Sequence, residues 1–168
     1  MTPPQDVLNP DSTGARDTHA GSPCAMVIFG ASGDLTKRKL IPALYNLARE
    51  NLLSQEFALV GFARQELSTD QFREKCTQEI RQFVQGDIDP DLWQSLCRRM
   101  YYVRGDFGDE DAFQRLRDAL HGADAEHGTR GNYLYYLATA PSALPSLKYT
   151  WSAKPSGTES GPVPPITG

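Results

Sequence analysis

At 168 residues, 39% hydrophobic and 23% charged, the chain has the length for one globular domain with a single core. A formal net charge of −4 gives no bulk attraction to nucleic acid or to an anionic membrane surface, and no apolar run reaches the length a bilayer span needs. The cysteines, Cys24, Cys76 and Cys97, are odd in number and lack C-x-x-C or metal spacing, which predicts reduced thiols in a cytoplasmic protein and no metal site.

Residues 1–22 place Pro3, Pro4, Pro10, Gly14 and Gly21 among polar residues with no apolar h-region, so they read as a flexible arm and not a signal peptide. A first strand is expected over 26–29, then a glycine turn, then a helix over 34–53 with a restart at Pro42, a residue suited to a first turn. Residues 57–62 are apolar enough for a second, buried strand. Ser68 to Gln71 supplies cap candidates for a helix carrying Phe72, Cys76, Ile80 and Phe83 at helical spacing. Asp89-Pro90 starts another helix with Leu92, Trp93 and Leu96, and Met100 to Val103 makes a third strand. A helix over 109–120 presents Phe113, Leu116 and Leu120 on one face, and residues 132–138 form a fourth strand. Strands alternating with helices predict an α/β fold, a Rossmann-like doubly wound parallel sheet.

The run Val27-Ile28-Phe29-Gly30-Ala31-Ser32-Gly33-Asp34-Leu35 carries the chemistry. A β-branched strand enters a tight glycine turn and leaves into a helix. Glycines let the backbone approach phosphates, and the first helical N–H groups point at the anion, so the order suits a pyrophosphate. Two glycines at this spacing fall short of the full G-x-G-x-x-G fingerprint, and a turn needing glycine only for packing would look the same.

Gly30-Ala31-Ser32-Gly33-Asp34-Leu35, followed by Lys37-Arg38-Lys39-Leu40-Ile41-Pro42-Ala43-Leu44-Tyr45, closely resembles the first βα turn of glucose-6-phosphate dehydrogenases. Further blocks follow in the family's order: Val60-Gly61-Phe62-Ala63-Arg64, Tyr102-Val103-Arg104-Gly105-Asp106-Phe107 and Asn132-Tyr133-Leu134-Tyr135-Tyr136-Leu137-Ala138. The resemblance runs from about Pro23 to about Leu144 and implies an NAD(P)-binding domain over 23–144. In it, Gly30 and Gly33 would shape the turn. Backbone N–H groups of Ala31, Ser32, Gly33, Asp34 and Leu35 would line the coenzyme pyrophosphate, with the Ser32 hydroxyl beside them.

Arg64 follows the second strand, where NAD-selective folds place an acid that accepts from the ribose 2′-OH. A guanidinium there can clamp a 2′-phosphate instead, which favours NADP, with Gln65 adding a contact. It lies farther from Gly33 than the usual spacing of about twenty residues because the first helix and its loop are long. The competing reading is a solvated loop arginine. Lys37, Arg38 and Lys39 form a charge run of the kind that is usually a solvated face; Lys37 is the candidate phosphate ligand. By resemblance, Asp106 and Phe107 lie on the adenine side, a loop acid beside a packed aromatic being the other reading. Leu137, Ala138 and Thr139 end the fourth strand at the edge where ligands of open α/β sheets gather. Tyr135, Tyr136 and Trp93 read as core or sheet-face residues, and none of His19, His121 and His127 reads as a catalytic base.

The resemblance implies oxidation of glucose 6-phosphate by NADP+ to 6-phosphogluconolactone and NADPH, the entry to the pentose phosphate pathway. The family's R-I-D-H-Y-L-G-K motif, which carries its catalytic His, does not occur in these residues, so no catalytic residue is assigned. From Pro141 the composition turns to Pro, Gly, Ser and Thr, and residues 145–168 read as a disordered tail. Lys154-Pro155-Ser156-Gly157 echoes the family's E-K-P-x-G with Ala153 in place of the acid. The chain therefore reads as a truncated coenzyme half. Glucose 6-phosphate would bind only if the substrate domain were supplied, and the family's oligomer interface is absent. The alternative is a catalytically inactive NADP-binding module or gene remnant. An incomplete sheet also predicts an exposed edge strand.

Overall fold

The computed structural model describes residues 20–139. Expectations for residues 1–19 and for everything from 140 onward, the tail and the Lys154–Gly157 echo included, lie outside the described residues. Within them, β1 (Cys24–Phe29), β2 (Phe57–Ala63), β3 (Met100–Arg104) and β4 (Tyr133–Leu137) form one sheet in the order β3-β2-β1-β4. All its pairings are parallel, with Val27 opposite both Val60 and Tyr135, and Ala63 opposite Arg104.

Helices cover the two faces. On one, α1 (Ile41–Arg49), α2 (Thr69–Ile80) and α3 (Pro90–Arg98) pack with Met26, Ile28, Leu59, Met100 and Tyr102 of the strands. On the other, α4 (Glu110–His127) lays Ala112, Leu116, Leu120 and Ala123 against Val27, Phe29, Val60, Phe62 and Val103. Burial on both faces explains why β2 reads as a continuous apolar run and does not alternate. Each fully buried Leu, Ile or Phe contributes about 1.5–3 kcal/mol by leaving water. β4 is different: Leu134, Tyr135, Tyr136 and Leu137 are exposed, although Tyr135 stacks on Phe29 at 6.3 Å between ring centroids.

Local signals set the helix limits. Ser68 and Gln71 form a reciprocal capping box at the start of α2, and the Asp89 carboxylate accepts from the N–H groups of Asp91 and Leu92 ahead of α3. Before α1 the chain makes a π-helical segment, Thr36–Leu40, whose end is marked by the Ile41 N–H reaching back to the Thr36 carbonyl. Pro42 is the cause: it cannot donate to the Arg38 carbonyl, so the helix widens and restarts there, as expected.

The expected helix over 34–53 is too long. It ends at Arg49, and Asn51 turns the chain at φ 57°, a left-handed conformation Asn tolerates. The expected helix over 109–120 is too short. Gly122 looks like a stop but lies inside α4, because Ala123 is wholly buried behind it, and the true C-cap is Gly128 at φ 70°. β1 begins earlier than expected, with Cys24 opposite Phe57, and Gly21, assigned to the arm, donates to the Leu52 carbonyl at 2.8 Å. Trp93 is a core residue whose indole N–H donates to the Thr77 hydroxyl at 3.0 Å. No helix among the described residues is long and apolar enough to cross a membrane.

Candidate functional site

Strand order reverses between β1 and β4, the switch point where open α/β sheets bind ligands beyond their carboxyl ends. The glycine turn leaves β1 at this point. Gly30 adopts φ 87°, and a Cβ on it would stand 2.6 Å from the Ala138 carbonyl oxygen and 2.9 Å from the Thr139 methyl. Only glycine fits both the conformation and the space. Ala138, Thr139 and the turn are thereby brought together, and the Ala138 N–H extends the ladder to the Phe29 carbonyl at 2.8 Å. Leu137 is 44% exposed beside them.

Hydrogen bonding divides the turn into scaffold and cradle. The N–H groups of Gly30 and Ala31 donate to the Phe62 carbonyl, Gly33 donates to the Gly30 carbonyl at 2.9 Å, and the buried Thr36 hydroxyl donates to the same oxygen. Among the described residues the N–H groups of Ser32, Asp34 and Leu35 donate to nothing. They are the orphan donors that open a helix. The Thr139 hydroxyl oxygen is buried with no partner among the described residues, a second unfilled polar position at this edge.

The charges nearby are distributed unevenly. Asp34 accepts from Arg38 Nε at 2.7 Å, and the Arg38 guanidinium also lies over the Phe83 ring. Lys37 reaches sideways to Glu79 of α2 at 2.9 Å, in a narrow crevice it shares with Ser32, Lys75 and Cys76. It is not aimed at the turn alone. Arg64 is exposed just past β2 and makes no ion pair or hydrogen bond among the described residues. Its loop is fixed from behind: the Tyr102 hydroxyl donates to the carbonyls of Gln65 at 2.7 Å and Ala63 at 3.3 Å, and Gln65 Oε1 accepts from Lys75.

At the tip of β3, the Asp106 carboxylate accepts from the Phe107 N–H at 2.7 Å and its carbonyl accepts from Asp109, making a tight turn into α4. Phe107 is buried against Phe29 and Phe62, so its side chain belongs to the core, while Asp106 lines the open tip. The structure also places Tyr102, Arg104 and Arg115 here, which the sequence reading did not single out. An Arg that closes an apolar strand run was the available signal for Arg104. Tyr102 carried none, since its partners are carbonyls far along the chain.

Away from the site, burial raises the pKa of all the thiols, Cys76 to about 12, and the described cysteines are free. His127 lies at the other end of the sheet with its Nε2 2.7 Å from the Tyr101 hydroxyl, and burial holds its pKa below the usual value.

Residues 27–155 match the family described as glucose-6-phosphate dehydrogenase, NAD binding domain. The chain is 49% identical over 120 residues to a glucose-6-phosphate 1-dehydrogenase of Chlamydia muridarum, covering 71% of this chain and 24% of that protein. It is 38% identical over 151 residues to a glucose-6-phosphate 1-dehydrogenase 2 of Mycobacterium tuberculosis (strain ATCC 25618 / H37Rv), covering 88% of this chain and 29% of the relative. A solved glucose-6-phosphate dehydrogenase in complex with its substrate glucose-6-phosphate superimposes with a TM-score of 0.69 at 28% identity, over 84% of this chain and 29% of that one. The glucose-6-phosphate 1-dehydrogenase from Mycobacterium avium gives 0.65 at 25% identity, over 76% and 26%. The chain thus spans about a quarter of the length of these relatives. With its β3-β2-β1-β4 sheet, its glycine turn at the switch point and this match, the chain belongs to the glucose-6-phosphate dehydrogenase family, in the region of the NAD binding domain.

Proposed function

We propose that the chain binds NADP through the edge formed by the glycine turn and the tips of β2, β3 and β4, as the coenzyme-binding part of a glucose-6-phosphate dehydrogenase. The N–H groups of Ser32, Asp34 and Leu35 hold the pyrophosphate, with the Ser32 hydroxyl beside them and Gly30, Ala31 and Gly33 fixing the shape of the turn. Asp106 faces the adenosine, and Leu137, Ala138 and Thr139 flank the path toward the nicotinamide. Phe107 supports the β3 tip from the core, and Lys37, once drawn from Glu79, adds positive charge beside the turn.

The observation that carries NADP over NAD is Arg64, exposed and without a partner among the described residues at the end of β2. A carboxylate at that place selects a ribose hydroxyl; a planar guanidinium selects a phosphate. The Gln65 amide borders the same group. The chemistry a nicotinamide supplies when bound is acceptance of a hydride, in this family from glucose 6-phosphate. What this chain contributes is to bind and orient the coenzyme. Free cysteines among the described residues fit a reducing compartment, and we assign the chain to the cytoplasm.

Calorimetric titration of the full chain with NADP+ and NAD+, beside Arg64→Ala, tests the reading. Saturable NADP+ binding that weakens about tenfold or more in the variant, with NAD+ poorer and unaffected, is expected for loss of a charge-assisted contact. Equal binding of the two coenzymes, or none, refutes it.

A further inference from the structure

An open pocket of about 410 Å³ lies at the tips of β2 and β3, lined by Arg64, Arg104, Gly105, Asp106, Asp109 and Arg115. Its charged groups are not equally available. Arg115 is committed, donating to the Arg104 carbonyl at 3.1 Å and to the Asp109 carboxylate at 3.3 Å. Asp109 also caps α4 through the Ala112 N–H, and Asp106 is held by the Phe107 N–H. Two guanidinium groups remain. One is Arg64. The other is Arg104, whose ion-pair partner among the described residues is Glu66, at 3.3 Å, with 58% and 83% of the two side chains exposed.

The pocket brings the two cations to one small surface at neighbouring strand ends. Ala63 is opposite Arg104, and the Gly105 N–H continues the ladder to the Ala63 carbonyl at 3.0 Å. Arg64 and Arg104 therefore leave neighbouring strand ends, about 4.8 Å apart in the pairing direction. A phosphate monoester carries a charge of about −1.5 to −2 near neutral pH, more than one guanidinium balances. An exposed ion pair such as Arg104–Glu66 is weak, so a phosphate can displace the carboxylate.

We propose that Arg104 is a second specificity-determining cation, which joins Arg64 on the coenzyme 2′-phosphate, and that Glu66 competes with that phosphate for it. This deepens the NADP reading above and rests on it. Selectivity for NADP is then set by a partner exchange: Arg104 releases Glu66 when the phosphate arrives and returns to it when NAD occupies the site. Glu66 holds an otherwise uncompensated guanidinium in the free protein and lowers the affinity for the phosphorylated coenzyme.

The test titrates the full chain and its Arg104→Ala, Arg104→Lys, Glu66→Gln and Arg104→Ala/Glu66→Gln variants with NADP+ and with NAD+, each variant checked for fold by circular dichroism. Arg104→Ala is expected to raise the Kd for NADP+ about tenfold and leave NAD+ unchanged, with Arg104→Lys between it and the unmodified chain. Glu66→Gln is expected to lower the Kd for NADP+ about two- to threefold, and to do nothing in the Arg104→Ala background. If Arg104→Ala and Glu66→Gln leave the NADP+ to NAD+ ratio unchanged while Arg64→Ala collapses it, the proposal is overturned and Arg64 alone reads the phosphate. If the unmodified chain does not prefer NADP+, this proposal falls together with the reading it rests on. Should Arg104→Ala misfold, the exposed Glu66→Gln decides alone: no gain in NADP+ affinity overturns the exchange.

Discussion

The Tyr102 hydroxyl donates to the Gln65 carbonyl at 2.7 Å, tying the middle of β3 to the loop that carries Arg64. The Ala63 carbonyl shares the same donor at 3.3 Å, and the Phe72 ring packs on the phenol from α2. A loop with an exposed arginine is thus anchored by a nearly buried side chain. Tyr102→Phe keeps the ring and removes the anchor. We expect a stability loss of about 1 kcal/mol in urea denaturation, typical of one hydrogen bond, and a several-fold weaker NADP+ titration with NAD+ unchanged. An unchanged NADP+ Kd would mean the loop holds its shape without the phenol.

Gly30→Ala meets two obstacles at once, a backbone at φ 87° and the Ala138 carbonyl 2.6 Å from the new methyl. The left-handed conformation costs about 1–2 kcal/mol for an L-residue, and crowding against backbone adds about 1–3 kcal/mol. The melting temperature and coenzyme binding should both fall. A variant as stable as the parent would show that β4 can shift away from the turn.

Acid should weaken the fold in two stages. Burial lowers the pKa of His127, with Arg99 and Arg73 adding to the effect and Glu126 opposing it. The unfolded chain therefore binds a proton at this site at higher pH than the native one. Stability falls as pH drops from the ordinary His value of 6.5 toward the native value. At lower pH Asp124 acts in the same direction. Hydrogen bonds from the Thr129 hydroxyl and the Gly131 N–H depress its pKa, so its contribution is present above the usual carboxylate range and is lost as pH falls through the native value. Urea midpoints measured from pH 7.5 to 3 should show both limbs. His127→Asn should flatten the first and Asp124→Asn the second; an unaltered upper limb in the His127 variant would assign it to another group.

β4, an edge of the sheet among the described residues, exposes Leu134 at 53% and Leu137 at 44% on its two opposite faces, an apolar edge strand of the kind that self-associates. Leu134→Lys should reduce concentration-dependent light scattering while leaving the β1–β4 pairing intact, since the Met26–Leu134 register depends on backbone. Persistent scattering would locate association elsewhere.

Much of this protein was legible in one dimension. Period and punctuation placed every strand and helix of the described region, because a buried parallel strand needs a continuous apolar run and because Ser68, Asp89 and Pro42 act within a turn of themselves. The limits that went astray, at Asn51 and Gly122, depend on whether distant atoms leave room for a residue, which no local pattern encodes. The glycine turn and Arg64 were visible from residue type alone, since phosphate chemistry demands exposed N–H groups and a guanidinium. Only the tertiary structure decided which donors are available: the Ala31 N–H is taken up by the Phe62 carbonyl of β2, the Gly33 N–H by Gly30 within the turn, and Lys37 is drawn to Glu79. It alone set Arg104 beside Arg64, and Tyr102 behind them both, because parallel register joins residues some forty positions apart at one sheet edge.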